Sequence, residues 1–502
     1  MTYEAEKYHT VAAWGFDYSA PYYLQISQAA DRDATSYESE HRLASYIGRL
    51  NYDFDQKYLL SVTARRDGSS RLSSEDRWGW FPSVSLGWRL DREEFFPVDD
   101  KLINLFKIRG SYGILGNENI GEYQYMETMN RNNFMYSFNG SIVSGSAISS
   151  FVNTSIAWEK KKSTSVGFDL GMLNGQIEFT FEWFKNKSED LLYGVAVPIT
   201  AGVTNGTVTM NAAEMENSGF EWSATYHNYK HKVKYDISFN ASTLKNKVKS
   251  LGFGNDYYLT GNYMTRLDDE LGRFYGWKYA GILTQEKLDE LNAYAATYGL
   301  TEYQPGAKAG DCYYVDIAGA YDENGNAIPD GQITDADRED LGSGMPSVNF
   351  GLSGRVEYKG WDLSVSTYGA LGFKVQDAIY DQMTSCYSIG NRDPEVMSAG
   401  SPNVYYTNTA TLAWNDLFSE RKIQNANYWK IANVELGYNF KDDWFNGIVS
   451  NVRAYVSLQN IATLTKYKGY NVDYAPGLWT PGYNYCSFPT PKTVMFGLKC
   501  SF

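Results

Sequence analysis

Alternation of apolar and polar side chains over long segments is the feature that most constrains the fold of this chain. In residues 493–502 every second side chain is apolar, and the same pattern recurs in residues 233–240, 348–358 and 451–459. Because successive side chains of a β-strand point to opposite faces, this period of two predicts strands with one apolar and one polar face.

The pattern repeats about fourteen times along the 502 residues. Most of these segments run to ~10–14 residues, longer than the strands of ~5–6 residues usual in soluble domains and long enough to cross a bilayer at a tilt. The predicted strands are residues 8–19, 41–55, 57–70, 78–91, 105–117, 162–173, 175–188, 215–228, 231–248, 347–358, 360–373, 428–441, 449–465 and 491–502.

The connections between these strands are of two lengths. Tight turns are predicted at residues 55–57, 173–175, 228–231 and 359–360. Long loops are predicted at residues 20–40, 117–161, 189–215, 249–346, 374–427 and 466–490. Short turns at one end and long loops at the other are typical of outer-membrane barrels, with turns in the periplasm and loops outside the cell. The fold class is therefore predicted as all-β, a transmembrane antiparallel β-barrel.

Composition favours the same class. Tyr, Phe and Trp make up 16% of the chain, and aromatic rings suit both strands and membrane interfaces. Mean hydropathy is −0.44, and the sequence has no uncharged apolar run of the ~18 residues that a transmembrane helix needs. A soluble β-sandwich is the alternative, but charged residues in the middle of the polar faces favour a water-filled lumen.

Charge and cysteine content exclude other classes. A net charge of −14 argues against a nucleic-acid partner, which would need clustered Lys and Arg. The four cysteines, Cys312, Cys386, Cys486 and Cys500, are scattered and predict neither a zinc site nor a disulfide framework. Residues 1–6 lack a secretory signal, so we expect a fragment of a longer outer-membrane protein.

Residues 284–299, within the longest loop of 249–346, break the strand pattern and predict a short helix. Thr284 is placed to cap its amino terminus, and Gly299 to end it. We expect this helix on the cell exterior.

Several stretches together resemble the carboxy-terminal part of SusC/RagA-type TonB-dependent outer-membrane transporters of Bacteroidetes. Their order over nearly the whole chain makes the resemblance specific. They are YIGRLNY (46–52), YLLSVTARRDGSS (58–70), GWFPSVSLGW (79–88), KIRGSYG (107–113), GN (116–117), WE (158–159), GFD (167–169), YWKIANVELGY (428–438), VSLQN (456–460) and TKYKGY (465–470).

The resemblance implies a 22-stranded barrel closed around a plug, of which about fourteen strands are present here. It also implies import of an oligosaccharide or oligopeptide, with carbohydrate uptake among the expected roles. Expected partners are a SusD-like surface lipoprotein, TonB through an amino-terminal region that this sequence lacks, and outer-membrane lipid. The substrate is not readable from the sequence. A passive outer-membrane channel or an adhesin-like barrel is the alternative.

One acidic segment could bind Ca²⁺ in an extracellular loop. Residues 316–338 are similar to an Asp-rich loop pattern of this family, and alternating carboxylates beside glycine suit an ion that takes six to eight oxygens. The candidate ligands are Asp316, Asp330, Asp335 and Asp337. A solvated acidic turn is the alternative for this segment.

Aromatic side chains in the predicted loops could stack on a sugar ring or a peptide side chain. Anchoring at the membrane interface and packing between loops are the alternatives for each residue. The candidates are Tyr257, Tyr258, Tyr405, Tyr406, Trp414, Trp479 and Tyr483.

Catalysis is not predicted. The sequence has neither a G-x-S-x-G nor an H-E-x-x-H motif, and no pattern of acid, base or nucleophile converges. Adjacent carboxylates at Glu93–Glu94 and Asp99–Asp100 are typical of a solvated turn.

Overall fold

The computed structural model is built mainly of β-strands. It describes residues 1–18, 26, 29–96, 99, 101–127, 129–130, 135–148, 151–196, 200, 206–252, 254–323, 325–384, 391–394, 414–440, 451–474, 477–485 and 487–501. Within these residues no helix is long and apolar enough to cross a membrane.

One large antiparallel sheet forms the wall of the molecule, with strands numbered β1 to β30 in chain order. Its strands are β1 (Thr2–Tyr18), β2 (Ala29–Phe54), β3 (Tyr58–Ser69), β4 (Trp78–Arg89), β5 (Ile103–Asn117), β10 (Glu159–Met172), β11 (Ile177–Ala196), β12 (Thr207–Asn228), β13 (Lys234–Thr243), β14 (Lys245–Ser250), β23 (Val348–Tyr358), β24 (Trp361–Leu371), β27 (Tyr428–Asn439), β28 (Asn451–Thr465) and β30 (Thr493–Ser501).

Each wall strand pairs with the wall strands next to it in the chain, which makes the sheet a meander. The strand that follows β12 is interrupted between β13 and β14. β13 pairs with residues 221–228 of β12, and β14 pairs with residues 214–218. All fourteen predicted strand regions are present.

The remaining elements lie between wall strands. They are β6 (Met129–Asn130), β7 (Met135–Phe138), β8 (Ser141–Ser144), β9 (Ala147–Ile148), β15 (Tyr257–Thr260), β16 (Tyr263–Arg266), β17 (Arg273–Trp277), β18 (Tyr279–Ile282), α1 (Gln285–Ala296), β19 (Cys312–Tyr314), β20 (Gly319–Tyr321), β21 (Ala327–Pro329), β22 (Arg338–Gly342), β25 (Lys374–Asp377), α2 (Ala378–Thr384), β26 (Ile423–Asn425) and β29 (Tyr483–Asn484).

Two predicted loops are shorter than expected. The predicted loop 20–40 is largely strand, because β2 begins at Ala29 and stays paired with β1 as far as Ala29 opposite Tyr18. The predicted loop 189–215 loses both ends to β11 and β12, whose pairing continues past bulges near Leu191. Charged and small residues there hid the strand signal, because strands that extend past a membrane no longer need an apolar face.

The two faces of the wall follow the predicted alternation. Residues opposite one another across the strands form an apolar row of Phe168, Phe181, Trp222, Ala241 and Phe350. The next row, one residue along each strand, carries polar and small side chains. Large apolar side chains such as Leu50, Trp80, Phe496 and Leu498 are more than 60% exposed, as a surface that meets acyl chains would be.

The longest segment between wall strands contains the predicted helix. α1 spans Gln285–Ala296, and the hydroxyl of Thr284 accepts a hydrogen bond from the backbone N–H of Lys287 at 3.1 Å. Gly299 follows with a positive φ of 78°, a conformation that glycine adopts without steric cost. The cap at Thr284 is as predicted, and the helix ends at Ala296, three residues before Gly299.

Candidate functional site

The polar face of the wall carries ion pairs that link several strands. Arg109 on β5 lies opposite Gly167 on β10, which in turn lies opposite Glu182 on β11. The guanidinium of Arg109 bonds Glu182 and also donates to Asp169 at 3.2 Å. Gly167 has no side chain between Arg109 and Glu182, and a Cβ at Gly167 would clash with the backbone carbonyl oxygen of Phe181 and meet the Glu182 Cβ at 3.3 Å.

This arrangement gives a physical reason for the GFD stretch at 167–169. Gly167 leaves room for the arginine, Phe168 points to the apolar face and Asp169 accepts from Arg109. One short stretch therefore contributes to both faces of the wall. Sequence reasoning matched the stretch but did not find Arg109 and Glu182, because their contact depends on strand register.

A depression of about 640 Å³ lies on the wall beside these ion pairs. Its lining includes positively charged, negatively charged and neutral polar side chains that can donate or accept hydrogen bonds, as a surface for a polar solute would. Among them are Arg109, Glu182, Glu221, Asn240, Asn349 and Ser366.

A second network lies near the turn between β23 and β24. Asp362 is 1% exposed, and Arg453 holds it with two hydrogen bonds, Nη2 to Oδ2 at 2.5 Å and Nε to Oδ1 at 3.0 Å. Asn439 donates to Asp362 Oδ1 at 2.8 Å, and Arg453 also bonds Glu435 at 2.7 Å. The network ties β24, β27 and β28 together.

The described residues of the segments 251–347, 372–427 and 466–492, here called the loop layer, pack against one another at the other end of the wall. The Tyr314 hydroxyl donates to the carbonyl of Trp414 at 2.5 Å, and Asn415 accepts from the Cys312 N–H at 2.7 Å. Tyr467, Asp377 and Asn484 form a buried polar cluster in which Asn484 donates to the Tyr467 hydroxyl at 2.7 Å. The described parts of the loop layer thus form a packed structure.

Most described aromatic candidates take part in that packing. Tyr258 and Trp479 pack on the buried cluster around Leu251, Trp414 packs beside Tyr314, and Tyr483 packs beside Phe274. Trp414 Nε1 also donates to the Pro305 carbonyl at 3.0 Å.

Tyr257 differs from those four, since it is 57% exposed. Tyr485, stacked on Tyr483 with ring centroids 6.2 Å apart, is also strongly exposed. Tyr405 and Tyr406 lie outside the described residues. Ligand binding by the seven predicted aromatic residues stays a prediction, and exposure favours Tyr257.

The predicted calcium ligands are largely engaged with the backbone of their own segment. Asp316 accepts from the N–H groups of Asp330 at 3.2 Å and Gly331 at 2.7 Å. Asp337 accepts from Ile317 at 2.9 Å, Ala318 at 3.0 Å and Thr334 at 2.7 Å. These bonds join the two ends of the acidic segment.

The same aspartates do not gather around one point. Asp335 is exposed, and among the described residues no three His, Cys, Asp or Glu side chains lie where they could hold a metal ion together. Burial raises the pKa of Asp316 to about 6, and nearby Asp337 and Asp330 add to the rise. A calcium site here stays a prediction.

Taken together, a meander of long strands with an exposed apolar face, a polar face and a packed loop layer defines an outer-membrane β-barrel protein. The chain matches the family model described as TonB dependent receptor-like, beta-barrel, over residues 2–485. It belongs to that family and is an outer-membrane protein, as predicted.

Two relatives show the extent of the match. The chain is 30% identical over 492 residues to the TonB-dependent receptor SusC of Bacteroides thetaiotaomicron, covering 94% of this chain and 45% of that protein. It is 28% identical to the TonB-dependent receptor P3 of Formosa agariphila, covering 94% of this chain and 47% of that one. The chain thus spans about half the length of these relatives. Their names denote receptors, in agreement with the prediction that the chain is not an enzyme.

Solved structures show the same fold. The RagAB peptide importer in its closed-closed state aligns with a TM-score of 0.79 and 21% identity, over 100% of this chain and 53% of that one.

Proposed function

We propose that this chain forms part of the barrel of a TonB-dependent importer that takes up an oligosaccharide or oligopeptide together with a SusD-like lipoprotein. The similarity to SusC over 94% of this chain carries the proposal. RagAB, the structural neighbour, is named a peptide importer, which keeps both substrate classes open.

The polar face supports passage of a hydrophilic solute. Arg109, Glu182 and Glu221 lie in one row across the strands, beside amides and hydroxyls. Such groups can exchange hydrogen bonds with hydroxyl or peptide groups. Exposed Tyr257 and Tyr485 in the loop layer offer aromatic faces for a sugar ring or an apolar side chain.

The loop layer is also where we place the lipoprotein. A packed extracellular surface can hold one orientation against a partner at lower entropic cost than loose loops. In this proposal TonB acts through an amino-terminal region beyond this sequence.

Uptake by intact cells tests the proposal. Cells with and without the gene that encodes this chain would be given labelled oligosaccharides or oligopeptides, with the proton gradient intact or collapsed by a protonophore. We expect gene-dependent uptake that stops when the gradient collapses. Uptake that continues unchanged would identify a passive channel, and no gene-dependent uptake of either class would reject the importer.

The lipoprotein is tested separately by affinity purification of the protein from outer membranes. A surface lipoprotein should co-purify in a one-to-one ratio. Its absence from a preparation that transports would overturn this part of the proposal alone.

A further inference from the structure

The apolar face of β10, β11 and β12 ends at a sharp boundary. Val166, Trp183 and Phe220 lie opposite one another in the last apolar row, and Val166 and Phe220 are both more than 40% exposed. Two residues farther along each strand, on the same face, stand Thr164, Lys185 and Ser218. Lys245 on β14 lies opposite Ser218 and completes this boundary row.

The strands continue beyond the boundary row with charges on the same face. Lys162 lies opposite Lys187, Lys187 opposite Glu216, and Glu216 opposite Lys247. Glu189 bridges Lys162 at 2.5 Å and Lys187 at 2.9 Å, and Asp268 bridges Lys247 at 2.9 Å and Lys249 at 3.0 Å. Farther from the apolar rows, acidic side chains neutralise most of the lysines.

The boundary row differs from those above it, because its own members carry no acid. Lys185 forms an ion pair with Glu216 of the next row at 2.9 Å, and the Lys185 side chain is 44% exposed. Lys245 is exposed and forms no ion pair among the described residues. The row therefore holds two hydroxyls and two ammonium groups, that of Lys185 paired with Glu216 and that of Lys245 without an acidic partner among the described residues, with Ser218 between the lysines.

We propose that this row binds the phosphate of an outer-leaflet lipid headgroup. Acyl chains would lie against Val166, Trp183 and Phe220, and Lys185, Lys245 and Ser218 would hold the phosphate at the height where those chains end. Ammonium groups pair with phosphate as point charges, and lysines at a membrane boundary extend toward the headgroups. The inference rests on the outer-membrane location of the family and not on transport.

The position of the row argues for a lipid over a free anion. A phosphate attached to acyl chains gains from burial of those chains on the adjoining apolar row, whereas inorganic phosphate has only the two lysines and hydroxyls. The row also faces the same side as the acyl-chain surface, away from the ion pairs of Arg109.

The test compares lipid retention by the protein purified from outer membranes and exchanged into phosphatidylcholine nanodiscs. These would contain a minor fraction of either monophosphorylated or dephosphorylated lipid A, and native mass spectrometry would count the lipid A bound. The variant is Lys185→Gln/Lys245→Gln. The matched control is Lys161→Gln/Lys234→Gln, which loses the same charge at exposed positions outside the boundary row.

We expect the unmodified protein and the control to retain the phosphorylated lipid about tenfold better than the dephosphorylated one, and the variant to lose this preference. Heat-dependent electrophoretic mobility would check that all three proteins are folded. Equal retention of the two lipids by the unmodified protein, or an unchanged preference in the variant, would overturn the proposal. Full displacement of the bound lipid by inorganic phosphate would also overturn it, because the row would then be a free-anion site. A protein found bound one-to-one over the boundary row would overturn it as well.

Discussion

The wall and the loop layer are stabilised in different ways, although both contain buried carboxylates. In the wall, Asp362 is paired with the guanidinium of Arg453, a partner 91 positions away that strand register places beside it. In the loop layer, Asp337 is equally buried but accepts from three backbone N–H groups and, at 3.4 Å, from the hydroxyl of Thr334. The comparison teaches that buried side chains on a regular sheet form hydrogen bonds mainly with one another, whereas those beside irregular backbone form them mainly with the backbone.

The largest effect is expected from breaking the wall network. Asp362→Ala leaves Arg453 with Glu435 alone at a mostly buried position, and removing one partner of a buried ion pair costs about 3–5 kcal/mol. We expect the midpoint of urea unfolding in lipid vesicles to fall accordingly. Glu357→Gln, at an exposed end of the neighbouring pair with Arg355, is the control and should change the midpoint little. Similar shifts in both variants would show that the network adds nothing special to the wall.

Removing the Asp337 carboxylate from the loop layer should lower stability less, and only locally. Asp337→Ala leaves the N–H groups of Ile317, Ala318 and Thr334 without their acceptor, and unsatisfied buried groups cost about 1–3 kcal/mol. Limited proteolysis should then cleave the 316–338 segment faster, with the unfolding midpoint of the wall unchanged. The matched control is Asp335→Asn, two residues away and exposed, and equal cleavage of the two variants would contradict the assignment.

The difference between wall and loop layer also decides what the sequence could predict. The two-residue period located all fourteen wall strand regions, since it records directly which side chains face lipid. Helix α1 was also predictable, because Thr284 and Gly299 are local signals. The strands at the rim were missed where charged residues such as Lys160 and Glu189 replaced the apolar ones.

The candidate site was less predictable, because its contacts join residues far apart in the chain. Trp414 has the composition of a stacking residue, yet its indole donates to Pro305, more than 100 residues away. Likewise, Asp316 and Asp337 fit a metal-ligand spacing, but the fold directs N–H groups at both. Residue type gave the list of candidates, and only tertiary contacts separate exposed Tyr257 from the packed ones.

The N-cap of helix α1, in the loop layer, provides the next test. Thr284→Ala removes the acceptor for the Lys287 N–H, and such N-cap losses cost about 1 kcal/mol. Hydrogen exchange of the α1 amides should accelerate by about fivefold, while exchange in β23 and β24 stays unchanged. Thr301→Ala, at an exposed position beyond the carboxy-terminal end of the helix, leaves the cap in place and serves as control. Faster exchange throughout the wall would show that the loop layer and the wall are one cooperative unit.

The smallest effect expected is a pH dependence confined to the loop layer. Burial raises the pKa of Asp316 to about 6, above the unfolded value near 4. The folded segment therefore binds the proton more tightly than the opened one, so this contribution to stability is complete below about pH 4 and is lost as pH rises to about 6. Hydrogen exchange at the Gly331 amide, corrected for its intrinsic rate, should show easier opening across that window and no further change above it. Asp316→Asn should flatten the profile, whereas Asp335→Asn should keep it. A profile that instead shows tighter closure with rising pH would mean that the N–H groups of Asp330 and Gly331 outweigh the burial of the charge.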